Sequence, residues 1–438
     1  MYLSLRADCG QAVGSLQRAI GLWEVTLWGI GIILGAGIYV LIGEAAGLAG
    51  NAVWIAFVLG ALIASLTGLS YAELSSIFPK DAAEYVYVKI ACGCEVLSFI
   101  VGWFVILTGI ISVSTVALGF AGYFQGLFGV SRELVAVALI GLLSVINFLG
   151  IKESSRLNII FTIVEVLGLV LIIGVGGGRL GQVNLLEAPM GLPGVLSAAT
   201  LIFFAYLGFE DIVNVAEEAK DPERTLPRAL LLSIVVTTVL YILVAMTAVS
   251  LVPWTALGES PAPLALIASA ALGEGIFTVM SVIALFATSN TVLIMLVVGS
   301  RMIYGMANEG AFPQALARLH PSTHTPWPAI LLTMGAAIVF LFVGDLELVA
   351  SVTSLGAFIT FTFVNLSLIY IRYRRPELKR SFRVPLNVGR FPVLGLLGIV
   401  SCLILVSQFT VTVLVFGYLF LVLGYLFYRL LIETRRFS

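Results

Sequence analysis

About twelve apolar runs, each long enough to cross a bilayer as a helix and separated by short polar or Pro/Gly breaks, constrain this chain more than any other feature. A spanning helix takes about 20 mostly apolar residues, because the hydrocarbon core is ~30 Å thick and a helix rises ~1.5 Å per residue. The runs fall at 22–46, 51–78, 96–124, 133–150, 157–176, 193–218, 227–252, 264–304, 326–343, 346–371, 391–409 and 411–431, the eighth including a loop helix ahead of its membrane part. The longest polar connections are only about 20 to 25 residues, which leaves no room for a soluble domain. The expected fold is therefore all-α and polytopic, one membrane domain over 1–438. Composition agrees: 60% of the chain is hydrophobic and 11% charged, with a mean hydropathy of +1.11.

Orientation follows from the basic residues, which concentrate in cytoplasmic loops. With an even number of spans and the amino terminus inside, all of the 23 Lys and Arg except Arg132 and Arg179 fall on the cytoplasmic side or its border. One span more or fewer near the start would put RYRRPELKR (372–380) outside. The basic segment 372–390 reads as a topology signal, and a net charge of −1 suggests no polyanionic partner and no nucleic-acid role. Cys9, Cys92, Cys94 and Cys402 have neither disulfide-framework nor zinc spacing. The first apolar run is of spanning length, so the first membrane helix, and not a cleaved signal peptide, is expected to direct insertion.

Two spans look interrupted. The first carries glycines at 29, 31, 35 and 37, and the sixth reads FFAYLGFED at 203–211, with Glu210 and Asp211 at membrane depth. Glycine disfavours helix by about 1 kcal/mol, and an intramembrane acid is a functional candidate by default. Gly29 and Gly31 suit close helix packing, whereas Gly35 and Gly37 bracket Ala36 and relieve the steric limits on an unwound backbone. Five spans separate the two interruptions, which reverses the direction of travel. Spans 1–5 (22–176) and 6–10 (193–371) would form inverted halves, with a peripheral pair at 391–431, and matched interruptions point to a transport site.

Several longer stretches strengthen this reading: GIGIILGAGIYVLIG (29–43), YAELSSIFPKDAAEYVYVKIACG (71–93), FFAYLGFEDIVNVAEEAKDPERTLPRAL (203–230), SRMIYGMANEGAFP (300–313) and RPELKRSFRVPL (375–386). In order and spacing they resemble the amino acid, polyamine and organocation (APC) superfamily, although Asp81-Ala82-Ala83 stands where that family often has a Ser-Gly-Gly-like turn. The resemblance implies a leucine-transporter-like 5+5 inverted repeat with discontinuous helices 1 and 6. It also implies alternating access by rocking of spans 1, 2, 6 and 7.

An amino-acid zwitterion needs donors for its carboxylate and acceptors for its ammonium, and a broken helix presents both from its backbone. Gly35, Ala36 and Gly37 are the candidate donors. By the resemblance, the carbonyls of Ile33, Phe204 and Leu207 take the ammonium. Phe203, Phe204, Tyr206 and Phe209, with Ala205 and Gly208 between them, suggest an apolar aromatic pocket and hence neutral or apolar substrates. Glu210 is linked, by the resemblance, to a gating network, and Asp211 points toward a water-filled vestibule. Glu217 and Glu218 are expected to be solvated or paired locally with Lys220 or Arg224.

Glu165 stands near the middle of span five, where the resembling family's proton-coupled members and exchangers often have lysine in place of a sodium ion. It reads as a proton carrier, as a cation ligand with Thr288 and Ser289, or as a structural hydrogen-bonding acid. Near 76–95 the run SSIFPKDAAEYVYVKIACGCE suits a short interfacial helix, 253–275 an external loop with a surface helix, and GVGGG (174–178) a loop. His320 and His324 read as loop residues. Spans 11 and 12 carry no ionisable residue but Arg429 and suit lipid or dimer contact.

No metal-ligand cluster, phosphate loop or nucleophile–base constellation stands out, and no rings of polar pore residues. The expectation is a secondary amino-acid transporter of the cell membrane, not an enzyme or a channel. Both termini are cytoplasmic, and the chain is a monomer or homodimer among lipids. It has no cofactor or metal, its coupling ion is H+, and it works by symport or exchange. The alternatives are an amine or polyamine exchanger and a sodium-coupled symporter of the same fold.

Overall fold

The computed structural model describes residues 16–436 apart from 261, 262, 274, 343–345 and 408; Cys9 lies outside the described residues. Fifteen helices are described: α1 (Leu22–Ala49), α2 (Val53–Ile77), α3 (Ala83–Cys92), α4 (Glu95–Phe128), α5 (Arg132–Leu149), α6 (Ile151–Gly176), α7 (Gly191–Phe203), α8 (Pro222–Leu251), α9 (Trp254–Gly258), α10 (Pro263–Leu272), α11 (Ile276–Asn308), α12 (Trp327–Phe340), α13 (Leu346–Arg374), α14 (Val393–Val406) and α15 (Val411–Arg436). A small antiparallel hairpin, β1 (Asn387–Val388) and β2 (Phe391–Pro392), precedes α14. Ten segments among the described residues are long and apolar enough to cross a membrane, and α12 and α14 are apolar helices of 14 residues. Hydrocarbon offers no partner to a bare N–H or C=O, so the chain meets that demand within helices.

The packing recurs in pairs. The contact of α1 with α8 is matched by that of α7 with α2, α4 with α13 by α11 with α6, and α4 with α5 by α11 with α12. The short helices follow suit: α3 packs on α4 and α13, and α10 on α11 and α6. The ends of the broken spans are also tied. Ala19 and Ile20 donate their N–H groups to the Glu218 carbonyl (2.8 and 3.2 Å), and Lys220 N–H returns to the Ile20 carbonyl (2.8 Å). At the opposite end, Ala52 N–H donates to the Glu187 carbonyl (3.1 Å) and Asn51 Nδ2 to its carboxylate (2.7 Å).

Three expectations shift. The segment near 76–95 does form a helix, but Ala83–Val88 of α3 are all buried, so it is an internal wedge more than an interfacial helix. Helix α10 buries Leu264, Ala265, Ile267 and Ala268 instead of lying on the surface. The GVGGG stretch continues α6 to Gly176 before a 3-10 turn over Gly177–Arg179.

Two of the basic residues expected only as a topology signal are structural. The buried Glu73 carboxylate takes Arg372 in a two-bond pair, Arg380 Nε at 3.1 Å and the Val384 N–H at 2.8 Å. The peripheral α14 and α15 pack on α13, and α15 turns most of its surface outward.

Ala82, just before α3, takes φ 55° and ψ 45°, a left-handed conformation that a side chain opposes by roughly 1–2 kcal/mol. Ala82→Gly is expected to stabilise the protein by about 1 kcal/mol, read as a higher Tm in detergent. A lower Tm would show that the Ala82 methyl, which lies against Gly305, matters more than the backbone.

Candidate functional site

Helix α1 leaves helical geometry at Gly35 (φ 11°, ψ −150°). The sixth span breaks over 204–208. A 3-10 turn covers Phe204–Tyr206, Leu207 is extended (φ −60°, ψ 143°), and Gly208 takes φ 112° before a 3-10 helix over Phe209–Val215. Gly208 holds a conformation open to glycine, and a Cβ there would stand 2.7 Å from Ile32 Cγ1. A Cβ on Gly37 would stand 2.7 Å from Ala205 Cα, so the two breaks meet backbone to backbone.

One cavity opens between them. Ile33 and Gly37 of α1 and Phe204, Ala205, Leu207, Gly208 and Glu210 of the sixth span, all named as candidates from the sequence, line it. Gly35 lies off the wall and presses on Thr291 of α11, and the Ala36 backbone continues α1 between them. Tyr206 is turned away: its hydroxyl donates to the Phe57 carbonyl (3.1 Å), and its ring covers Gly60 of α2. Phe203 packs on Phe358, and Phe209 on Tyr71 and Phe361. Of the four expected aromatics only Phe204 lines the cavity, joined by Phe361 of α13, which was not among them.

Hydroxyls take the place of the others. Thr108, Ser112 and Thr115 of α4, Thr291 of α11, and Thr353 and Thr360 of α13 line the cavity too, along with Asp211, Met295 and aliphatic residues such as Val105, Val116 and Val298. The spacing of 108, 112 and 115 puts three hydroxyls on one helical face, a signal that could have been read in the apolar run.

The carbonyls at the breaks are partly occupied. The Tyr241 hydroxyl of α8 lies 2.5 Å from the Ile33 carbonyl and 3.0 Å from that of Ala205, bridging both broken spans, and Leu207 N–H donates to the Phe204 carbonyl (3.2 Å). A tyrosine in an apolar run gives no sequence signal of this role. Tyr241→Phe leaves buried carbonyls short of a donor and is expected to destabilise by about 1–3 kcal/mol. Thermal unfolding in detergent, with an unchanged Tm as the contrary result, checks it.

Glu210 caps the break locally, its Oε2 accepting the Gly208 N–H at 2.8 Å. Glu165, Thr288 and Ser289 do not line the cavity. Glu165 is fully buried, with neither carboxyl oxygen hydrogen-bonded among the described residues, and Asn290 is the polar side chain beside it. Thr288 donates to its own helix at the Ala284 carbonyl (2.7 Å), and Ser289 is buried.

Beyond the cavity, Glu218 is buried and takes Arg301 of α11 in two bonds (3.1 and 3.0 Å), while Glu217 pairs with Lys80 (3.7 Å). The expected partners Lys220 and Arg224 are not used, because the chain turns Glu218 inward toward α11. Glu84 of α3 accepts from Tyr71 and Asn214, and burial pushes its carboxyl up to about 7 despite those bonds. Asp81 accepts the Glu217 N–H (3.0 Å); burial, then the carboxylates of Glu217 and Glu218, holds it well above the usual range. Cys92 and Cys94 are free and exposed, and Cys402 is free and buried.

The family model for amino acid permeases matches residues 20–427. The branched-chain amino acid permease BcaP of Bacillus subtilis (strain 168) is 32% identical over 420 residues, covering 90% of this chain and 88% of that one. The methylthioribose transporter of the same organism is 32% identical, with 89% and 88% covered. Human cationic amino acid transporter 4 is 31% identical over 82% of this chain and 61% of its own length. The chain is thus a multi-pass membrane transporter, not an enzyme, and it belongs to the amino acid permease family of the APC superfamily.

Proposed function

We propose that the chain is a secondary transporter that carries a small amino acid across the cell membrane by alternating access, coupled to protons through Glu165. The observation that carries this reading is the pair of breaks at Gly35 and 204–208, whose backbones meet at Gly37 and Ala205 beside one cavity. The substrate carboxylate takes the N–H groups of Gly35, Ala36 and Gly37. Its ammonium takes the Leu207 carbonyl and the second lone pair of the Ile33 carbonyl. The bundle has twelve spans with both termini cytoplasmic, and 22–176 and 193–371 are inverted halves. The paired packing of α1–α13 supports that arrangement.

Small neutral or apolar side chains fit the aliphatic and hydroxyl wall, and the branched-chain relative is in keeping with them. A second reading, a basic amino acid or an amine, is favoured by one observation: Glu210 and Asp211 line the cavity and no Lys, Arg or His does among the described residues.

Uptake of labelled amino acids into proteoliposomes tests both. An inward proton gradient should drive accumulation, and competition between lysine and its uncharged near-isostere norleucine separates the two substrate classes. Uptake that needs internal amino acid and ignores the gradient would make the protein an exchanger; a response only to sodium would overturn proton coupling. No amino-acid uptake under any of these conditions would sink the reading and turn the search to amines and to thioether sugars of the kind the second relative is named for.

A further inference from the structure

Helix α6 is polar on the wrong side for a lipid-facing helix. Ser155, Asn158, Thr162 and Glu165 are spaced to share one helical face and are buried, while Ile160, Ile163, Leu167 and Val170 point outward. The buried face is under-paired. Ser155 Oγ, Asn158 Oδ1 and both Glu165 carboxyl oxygens have no hydrogen-bond partner among the described residues. Buried oxygens that no protein group pairs can be satisfied by ordered water where the site has room for it. Between them, Asn158 Nδ2 donates to Asn290 Oδ1 of α11 (2.9 Å), and Asn290 Nδ2 to Thr162 Oγ1 (3.1 Å).

The lid over this face is α1. Thr162 Oγ1 donates to the Leu27 carbonyl (3.4 Å), and a Cβ on Gly31 would overlap Thr162 and the Asn158 and Asn290 amides. The face runs from Glu165 down to Ser155, one turn from the helix start, a distance of about 15 Å at the helical rise. Among the described residues, the titratable groups facing Glu165 are the phenols of Tyr39 on α1 and Tyr241 on α8, with no cationic side chain beside it.

We propose that the buried polar face of α6 is the path by which a proton leaves Glu165 for the cytoplasmic side, along water positioned by Asn158, Thr162, Asn290 and Ser155, with the cytoplasmic half of α1 as its gate. This rests on the reading of Glu165 as the proton carrier. The Glu165 acid gives its proton to water and is left as carboxylate. The proton passes along hydrogen bonds to the cytoplasm, and the carboxylate is reset by a proton from outside. Nothing is oxidised or reduced. The four side chains are positioning residues: they hold the water and do not touch the substrate.

The experiment is Asn158→Leu beside Ser155→Val and Asn158→Ser in full-length protein in proteoliposomes. Proton-driven accumulation and internal acidification are measured against counterflow exchange of preloaded amino acid. Asn158→Leu is expected to cut proton-driven accumulation at least tenfold and exchange by less than threefold, with Asn158→Ser restoring most of the coupling. Ser155→Val should give the same split. If Asn158→Leu and Ser155→Val keep full accumulation, or if accumulation and exchange fall together with no rescue by serine, the path is wrong. A wild type that transports but ignores the gradient sinks the coupling reading at Glu165, and the path falls with it.

Discussion

Arg301→Met is expected to lower the stability of the folded protein by about 3–5 kcal/mol, the usual effect of removing one partner from a buried ion pair. Arg301 is inaccessible and Glu218 nearly so, and the guanidinium satisfies both carboxylate oxygens. Its remaining Nη1 reaches Asn147 Oδ1 (2.5 Å) and Ser300 Oγ (3.1 Å). Methionine fills similar volume but leaves the Glu218 charge uncompensated. The double variant Arg301→Met/Glu218→Met removes both charges and should recover most of the loss, because a well-packed apolar pair can replace a buried ion pair at little net cost. Thermal unfolding in detergent reads both. A loss under about 1 kcal/mol would place this pair with solvent-exposed bridges and contradict its burial.

The same pair has a mechanical consequence. The Glu218 carbonyl accepts the N–H groups of Ala19 and Ile20, so one residue ties the entry to α1 and the exit of the sixth span to α11. With the mirrored tie at Asn51, Ala52 and Glu187 and the Tyr241 bridge at the centre, the two broken spans are joined at both ends and in the middle.

How much of this was legible in the sequence depended on the range of the interaction. Spans and breaks are local. Apolar length fixes the former, and the glycines at 35, 37 and 208 mark the latter, because they stand where the backbone leaves a helix or two backbones touch. Side-chain direction past a break is not local. Once the chain leaves the helix at Phe203, the 100° step no longer applies, which is why Tyr206 falls on α2 and not on the cavity. Long-range pairs were out of reach for another reason. Arg301 lies 83 residues from Glu218, whereas Lys220 and Arg224 are close in sequence yet unpaired with it in the fold. Ile33, Phe204 and Leu207, which the resemblance named, line the cavity, but its hydroxyl wall comes from α4, α11 and α13, whose threonines look like ordinary membrane-helix residues until the helices are brought together.

Glu165→Gln is expected to abolish gradient-driven accumulation while leaving exchange in place. A carboxyl at this position is enclosed by α1, α6 and α11, far from either helix end, and has no cationic side chain beside it among the described residues. The acid is therefore suited to bind a proton and the amide is not, although the two have nearly the same size. One unit of pH across the membrane is worth about 1.4 kcal/mol, which supports roughly tenfold accumulation for one proton per substrate. Wild type should approach that ratio. Glu165→Gln, fixed in a neutral form, should only equilibrate the substrate and still exchange it, since alternating access needs the breaks and not the proton. If Glu165 were instead an ionised cation ligand beside Thr288 and Ser289, wild type would respond to sodium and not to protons, and the glutamine variant would lose that response. A variant that still accumulates substrate tenfold in a one-unit gradient would place the coupling proton elsewhere, with Glu210 and Asp211 on the cavity wall as the acids to substitute next.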